Sequence, residues 1–147
     1  MFEDIISNMR EDFDIKPMDV LNLQPLVLAY IGDAVYEAYI RTMLVINKKT
    51  NVNTLHKMSI KYVKAKAQSD IVHRIADKLT QEEQDVVRRG RNAKSVTVPK
   101  NAEITDYRYS TGYEALIGYL YLINNTARLM EILRLSVEEQ IIVKEKV

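Results

Sequence analysis

The sequence predicts an all-α protein, on three observations. Glycine and proline are sparse, at four and three in 147 residues, so few points force the chain out of a helix. Apolar residues recur at spacings of three and four, and no segment shows the alternation of a half-buried strand. Leucine, alanine and charged helix formers fill most remaining positions. With 47% hydrophobic and 28% charged residues, a chain of this length buries a core without cross-links. One domain is expected over 1–147, with an acidic segment at 1–19 and a motif-bearing core over about 20–135.

A first helix is expected over residues 3–10, followed by a turn at Lys16-Pro17. The main apolar helix starts near Pro25, a favourable first-turn position, and runs to Ile46. The polar stretch Asn47–Asn51 breaks it. Helices over Val52–Gln68 and Ser69–Leu79 follow. Thr80-Gln-Glu-Glu83 has the form of a capping box, opening a short helix that Gly90 is expected to cap at its C-terminus. Arg91–Asp106 is polar, contains Pro99 and reads as a loop, leaving Asp106 ahead of the next helix, Tyr109–Ile123. Ser136-Val-Glu-Glu139 is expected to cap a last helix.

Composition narrows the chemistry. The chain has no cysteine, which excludes disulfides and thiolate metal sites, and two histidines, His56 and His73, are too few for a histidine-rich zinc site. An oxygen-ligated cation, Mg²⁺ or Mn²⁺, is the metal these residues could hold. No apolar run approaches the ~20 residues of a membrane span, and the acidic N-terminus lacks the pattern of a secretory signal, so a cytoplasmic protein is expected.

The net charge of +1 conceals segregation. No acid occurs from Ala38 to Ser69, where Lys57, Lys61 and Lys64 share one helical face, or from Val86 to Ala102, which carries Arg88, Arg89, Arg91, Lys94 and Lys100. Such clusters fit a polyanion, with a solvated surface as the alternative. These eight cations are the candidate residues for binding a polyanion.

Two acids stand out against this background. Asp33 lies on the face shared by Leu26, Ala29, Glu37 and Ile40, and Glu114 opens the apolar run Ala115–Tyr121. Each is close to a glycine, Gly32 and Gly118, as if the two helices crossed there. Carboxylates on apolar helices are costly unless paired, solvated or bound to a cation. A metal held between Asp33 and Glu114 is one reading; two partly exposed, solvated acids is the other. Glu37, one turn after Asp33, reads more simply as an ion pair or subunit contact than as a third ligand. The tyrosines at 30, 36, 113, 119 and 121 read as packing residues.

Tyr30-Ile-Gly-Asp-Ala-Val-Tyr-Glu37 resembles the signature helix of ribonuclease III catalytic domains, and Glu114-Ala-Leu-Ile-Gly118 resembles their second signature. The basic run Arg88–Lys94, Pro99-Lys-Asn-Ala102 and the stretch Ser110–Leu122 narrow the resemblance to the Mini-ribonuclease III branch, which lacks a double-stranded-RNA-binding domain. The resemblance implies a ribonuclease III-like helical fold and a homodimer that cuts double-stranded RNA, leaving 5′-phosphate and 3′-hydroxyl ends. It implies Asp33 and Glu114 as catalytic, Mg²⁺-binding acids, with Mn²⁺ as a possible substitute. It also implies maturation of large-subunit (23S) ribosomal RNA precursor, assisted by a large-subunit ribosomal protein. Leu26, Ala29 and Thr111 stand where ribonuclease III proper carries further acids, so weaker Mg²⁺ binding is expected. The alternative function is a catalytically inactive RNA-binding or ribosome-associated protein on the same fold. A purely structural helical adaptor leaves the acid-free basic windows unexplained.

Overall fold

The computed structural model describes residues 2–13, 16–93 and 103–145, and these form helices without a strand. In chain order they are α1 (Phe2–Phe13), α2 (Pro17–Leu21), α3 (Pro25–Asn47), α4 (Val52–Val63), α5 (Ala65–Ile75), a 3₁₀ turn (Ala76–Lys78), α6 (Gln81–Asn92), α7 (Ile104–Leu122) and α8 (Thr126–Glu145).

The core is organised around α7, which packs against α2, α3, α5, α6 and α8. From Ser110 to Leu120 every residue is buried except Glu114, which is half-buried. A helix enclosed on most sides reads as apolar all round, and the run Ala115–Leu120 does so. Its main partner α3 buries Leu28, Ala29, Gly32, Tyr36, Ile40 and Leu44, a stripe repeating every three or four residues. Tyr36 and Tyr113 meet edge to face across this interface, with ring centroids 5.1 Å apart. Both hydroxyls are satisfied, Tyr36 donating to the Tyr62 carbonyl at 3.1 Å and Tyr113 sharing a 2.6 Å hydrogen bond with Ser136.

All four glycines mark places where two helix backbones touch. A Cβ on Gly32 would collide with the Glu114 carbonyl oxygen, and one on Gly118 with the Leu28 carbonyl oxygen. At the α6–α7 contact, a Cβ on Gly90 would lie 2.8 Å from Gly112 Cα, and one on Gly112 would lie 2.6 Å from the Val87 carbonyl oxygen. Helix-interior glycine costs about 1 kcal/mol relative to alanine, and here close backbone approach offsets it.

Several expectations need correction. Gly90 caps nothing: α6 continues to Asn92, because Gly90 faces Gly112 inside the helix contact. Arg91 is therefore helical, and Asp106 sits in the first turn of α7, which starts at Ile104. Ser136 is inside α8, its hydroxyl donating to the Ile132 carbonyl at 2.8 Å while serving Tyr113; packing, not capping, explains it. The α4–α5 break falls at Lys64, not after Gln68, and neither glycine nor proline marks it. There the Gln68 side chain donates to the Val63 carbonyl at 2.8 Å and satisfies a helix-end acceptor.

The capping box is present as read. Thr80 and Glu83 exchange hydrogen bonds at 2.9 and 3.1 Å. Buried Glu83 is also gripped by Arg128 of α8 through two 2.8 Å bonds, fastening α6 to α8.

Candidate active site

The Gly32–Gly118 contact decides where the acids lie. With the α3 and α7 backbones touching, Asp33 and Glu114 emerge on one side of the crossing and line a common cavity of about 450 Å³. Glu37 follows Asp33 by one turn, and Tyr107 and Thr111 precede Glu114 by two turns and one. Asp33 is exposed toward solvent, whereas Glu114 is half-buried at the cavity floor.

Burial pushes the Glu114 carboxyl up to about 8, helped by the negative charge of Asp33 and, more weakly, of Glu37. The Gln68 side-chain amide acts in the opposite direction. Burial, and then the Glu37 charge, also raise Asp33. Each carboxylate thus resists ionising in its place, a condition that a cation between them relieves. Glu37 makes a 3.5 Å ion pair with Arg41 one turn on. Among the described residues no three histidine or acidic side chains form a metal-ligand cluster. The donors are two carboxylates with open space beside them. That suits a cation such as Mg²⁺, which takes one or two carboxylates and retains water at its other positions.

The candidate RNA-binding cations lie elsewhere. None of those described lines the acidic cavity. Lys61 and Lys64 border a separate cavity of about 270 Å³ at the α4–α5 junction, together with Lys66 and Arg74. Lys57 is exposed on α4. Arg88 pairs with Asp85 at 2.9 Å on the surface of α6. Arg89 reaches the carbonyls of Leu21 and Leu23 at 3.4 Å, tying α6 to the end of α2. Arg91 lies over the Tyr109 ring, 5.6 Å from its centre. Lys94 and Lys100 fall outside the described residues.

Comparison with known proteins identifies the fold that holds this pair of acids. Residues 26–125 match the Ribonuclease III domain family. The chain belongs to this family. Among curated relatives it is similar to Mini-ribonuclease 3 of Thermoanaerobacter sp. strain X514, with 61% identity over 81% of this chain and 84% of that one. It is 55% identical to Mini-ribonuclease 3 of Clostridium tetani, over 81% and 80% of the two chains. A crystal structure of a Fusobacterium nucleatum protein superposes with a TM-score of 0.73 at 30% identity, covering 88% of this chain and 98% of that one. These relationships place the chain in the Mini-ribonuclease III branch and make it an endoribonuclease. They also support double-stranded RNA as its substrate.

Within the Mini-ribonuclease III frame, the three departures noted in the sequence share one location. Leu26, Ala29 and Thr111 all line the acidic cavity, so its walls are apolar or hydroxylic where further acids were expected of ribonuclease III proper. Tyr30, read from the sequence as a packing residue, is instead 82% exposed beside the cavity and packs into no core, whereas Gln68 was not anticipated at all. Gln68, 1% exposed, holds its Oε1 buried without a hydrogen-bond partner among the described residues, at a cost of about 1–3 kcal/mol. A sequence signal for Gln68 did exist. It occupies the apolar stripe of α5 with Ile71, Val72 and Ile75, where a glutamine is out of place.

Proposed function

We propose that this ribonuclease hydrolyses double-stranded RNA with Asp33 and Glu114 as its catalytic acids, holding Mg²⁺ or, in its place, Mn²⁺. The observation that carries the proposal is the shared cavity at the α3–α7 crossing, where burial and mutual repulsion push Glu114 up to about 8. When bound there, the cation supplies charge neutralisation at the scissile phosphate and lowers the pKa of water. Asp33, open to solvent, presents its carboxylate to the substrate side, and Glu114 holds the inner side. The two acids fix where the phosphate sits by holding their charges on helices locked by the glycine contact. Water adds to phosphorus and the bond to the 3′-oxygen breaks, leaving a 5′-phosphate and a 3′-hydroxyl.

The RNA surface comprises Lys57, Lys61 and Lys64, with Arg88, Arg91 and the basic residues Lys94 and Lys100. An A-form duplex offers these cations its phosphates and 2′-hydroxyls. The proposed working form is a homodimer. Its support is the exposed apolar strip of Leu26, Val27 and Tyr30 on α3, next to the acidic cavity. The proposed cellular substrate is large-subunit (23S) ribosomal RNA precursor, with a large-subunit ribosomal protein assisting and the cytoplasm as the place of action. Similarity to proteins bearing the Mini-ribonuclease 3 name supports ribonuclease action, and the ribosomal substrate, the helper and the location follow from the family resemblance of the sequence motifs. No helix of the described residues is long and apolar enough to cross a membrane.

Incubation of long duplex RNA with Mg²⁺ and either wild type, Asp33→Asn or Glu114→Gln tests the proposal. The wild type is expected to cut, and both variants to lose turnover while still binding RNA. Wild-type rates from Asp33→Asn would overturn the assignment.

A further inference from the structure

One wall of the acidic cavity is a tyrosine that the two acids leave without a role. Tyr107 is half-buried in the first turn of α7 and lines the cavity together with Asp33 and Glu114. Its carbonyl accepts two side-chain hydroxyls from the next turn, Ser110 at 2.7 Å and Thr111 at 3.0 Å. Both hydroxyl residues are buried. Its amide donates to the Glu103 carbonyl at 2.9 Å. Hydroxyls bonded back into a helix do not strengthen it, so their effect here is to hold the backbone from which Tyr107 enters the cavity.

A phosphate entering this cavity brings negative charge to a space that already holds Asp33, Glu37 and Glu114. Among the described residues no lysine or arginine lines it, so its side-chain donors are the hydroxyls of Tyr30, Tyr107 and Thr111. Thr111 directs its one proton to the Tyr107 carbonyl. Tyr30 is 82% exposed, on the strip proposed for subunit contact. Tyr107 alone of the three combines a fixed backbone with a phenol on the cavity wall. A phenol also suits the place chemically. It donates a hydrogen bond without a positive charge, which would pair with the acids and compete with their cation. We infer that Tyr107 is a further catalytic residue, its phenol donating a hydrogen bond to a nonbridging oxygen of the scissile phosphate. This inference rests on the assignment of Asp33 and Glu114 as the catalytic acids, which brings the phosphate to this cavity. The phenol keeps its proton throughout, stabilising charge on the phosphate while the bond to the 3′-oxygen breaks. A residue that only packed the wall would serve equally well as phenylalanine.

The test compares wild type, Tyr107→Phe and Asp33→Asn on duplex RNA in Mg²⁺, with sulfur replacing each nonbridging oxygen of the cut phosphate in turn. On the all-oxygen duplex, Tyr107→Phe is expected to lower kcat about 10- to 100-fold, the loss of one charge-assisted hydrogen bond. KM for RNA should stay unchanged, as should Mn²⁺ binding without RNA by electron paramagnetic resonance. Sulfur accepts hydrogen bonds weakly, so at one of the two positions it should slow wild type and slow Tyr107→Phe no further. Mn²⁺ should leave that penalty in place, since relief by Mn²⁺ marks an oxygen that meets the metal instead. If Tyr107→Phe cuts at the wild-type rate while Asp33→Asn does not cut, the role of Tyr107 is refuted and the two acids stand. Equal sulfur penalties in wild type and Tyr107→Phe at both positions refute it too. If Asp33→Asn cuts as wild type does, the reading of the site fails, and the inference fails with it. Wild type alone gives a readout independent of how the variant folds. Relief of every sulfur penalty by Mn²⁺ would overturn the inference.

Discussion

Replacing Glu114 by glutamine should make this ribonuclease more stable in alkaline, metal-free solution while it abolishes turnover. In the folded chain the Glu114 carboxyl is raised from 4.5 to about 8. Below pH 4.5 the group is protonated both folded and unfolded, and it has no effect on the balance. Between 4.5 and about 8 the folded state binds the extra proton, so stability falls as pH rises. Above about 8 the carboxylate is charged in both states and its full burial cost is felt. That displacement corresponds to a ceiling of about 5 kcal/mol. Glu114 is only half-buried and borders an open cavity, which reduces this to about 2–3 kcal/mol. In EDTA at pH 9, Glu114→Gln should therefore melt about 6–9 °C above wild type, whereas at pH 4.5 the two should nearly coincide. Adding Mg²⁺ at pH 9 should stabilise wild type and leave the variant unmoved. Thermal denaturation followed by circular dichroism across this pH range reads all three. A variant no more stable than wild type at pH 9 would refute the burial-and-repulsion account of the site.

Other perturbations address the frame around the acids. Gly32→Ala places a methyl against the Glu114 carbonyl oxygen, so it should cost roughly 3 kcal/mol or more and lower activity by separating α3 from α7, as urea unfolding and a cleavage assay would show. Arg128→Met strands the buried Glu83 carboxylate and should cost about 3–5 kcal/mol at pH 7 in urea unfolding, with less loss in acid where Glu83 protonates. Arg91→Ala should weaken RNA binding and reduce the slope of log affinity against log salt by about one, whereas Arg89→Ala should act mainly through stability, because Arg89 serves the α2 carbonyls; filter binding across a salt series separates the two. Tyr30→Asp should shift the sedimentation profile from dimer toward monomer.

The all-helical class and the pair of signature acids were legible in the chain because both are local. Helical periodicity is written at spacings of three and four, and Thr80 with Glu83 specifies a helix start within four residues. Gly32 and Gly118 even hinted at the crossing, since glycine inside a helix calls for a reason. The same clue misled at Gly90, which looked like a helix end and is a contact with Gly112, twenty-two residues away. Ser136 misled likewise, its hydroxyl being taken by Tyr113 rather than by a helix terminus. In each case the deciding partner is remote in sequence, and a local pattern carries no information about it.

Sequence alone therefore determined which segments coil and which two carboxylates sit beside glycines on apolar helices. Tertiary structure decided what those carboxylates experience. Asp33 was left open to solvent, Glu114 was half-buried, and Glu37 was paired with Arg41. The physical reason is range. Backbone propensity acts over one or two turns, whereas desolvation and charge coupling depend on which helices are pressed together, and that is settled only when the core closes around α7.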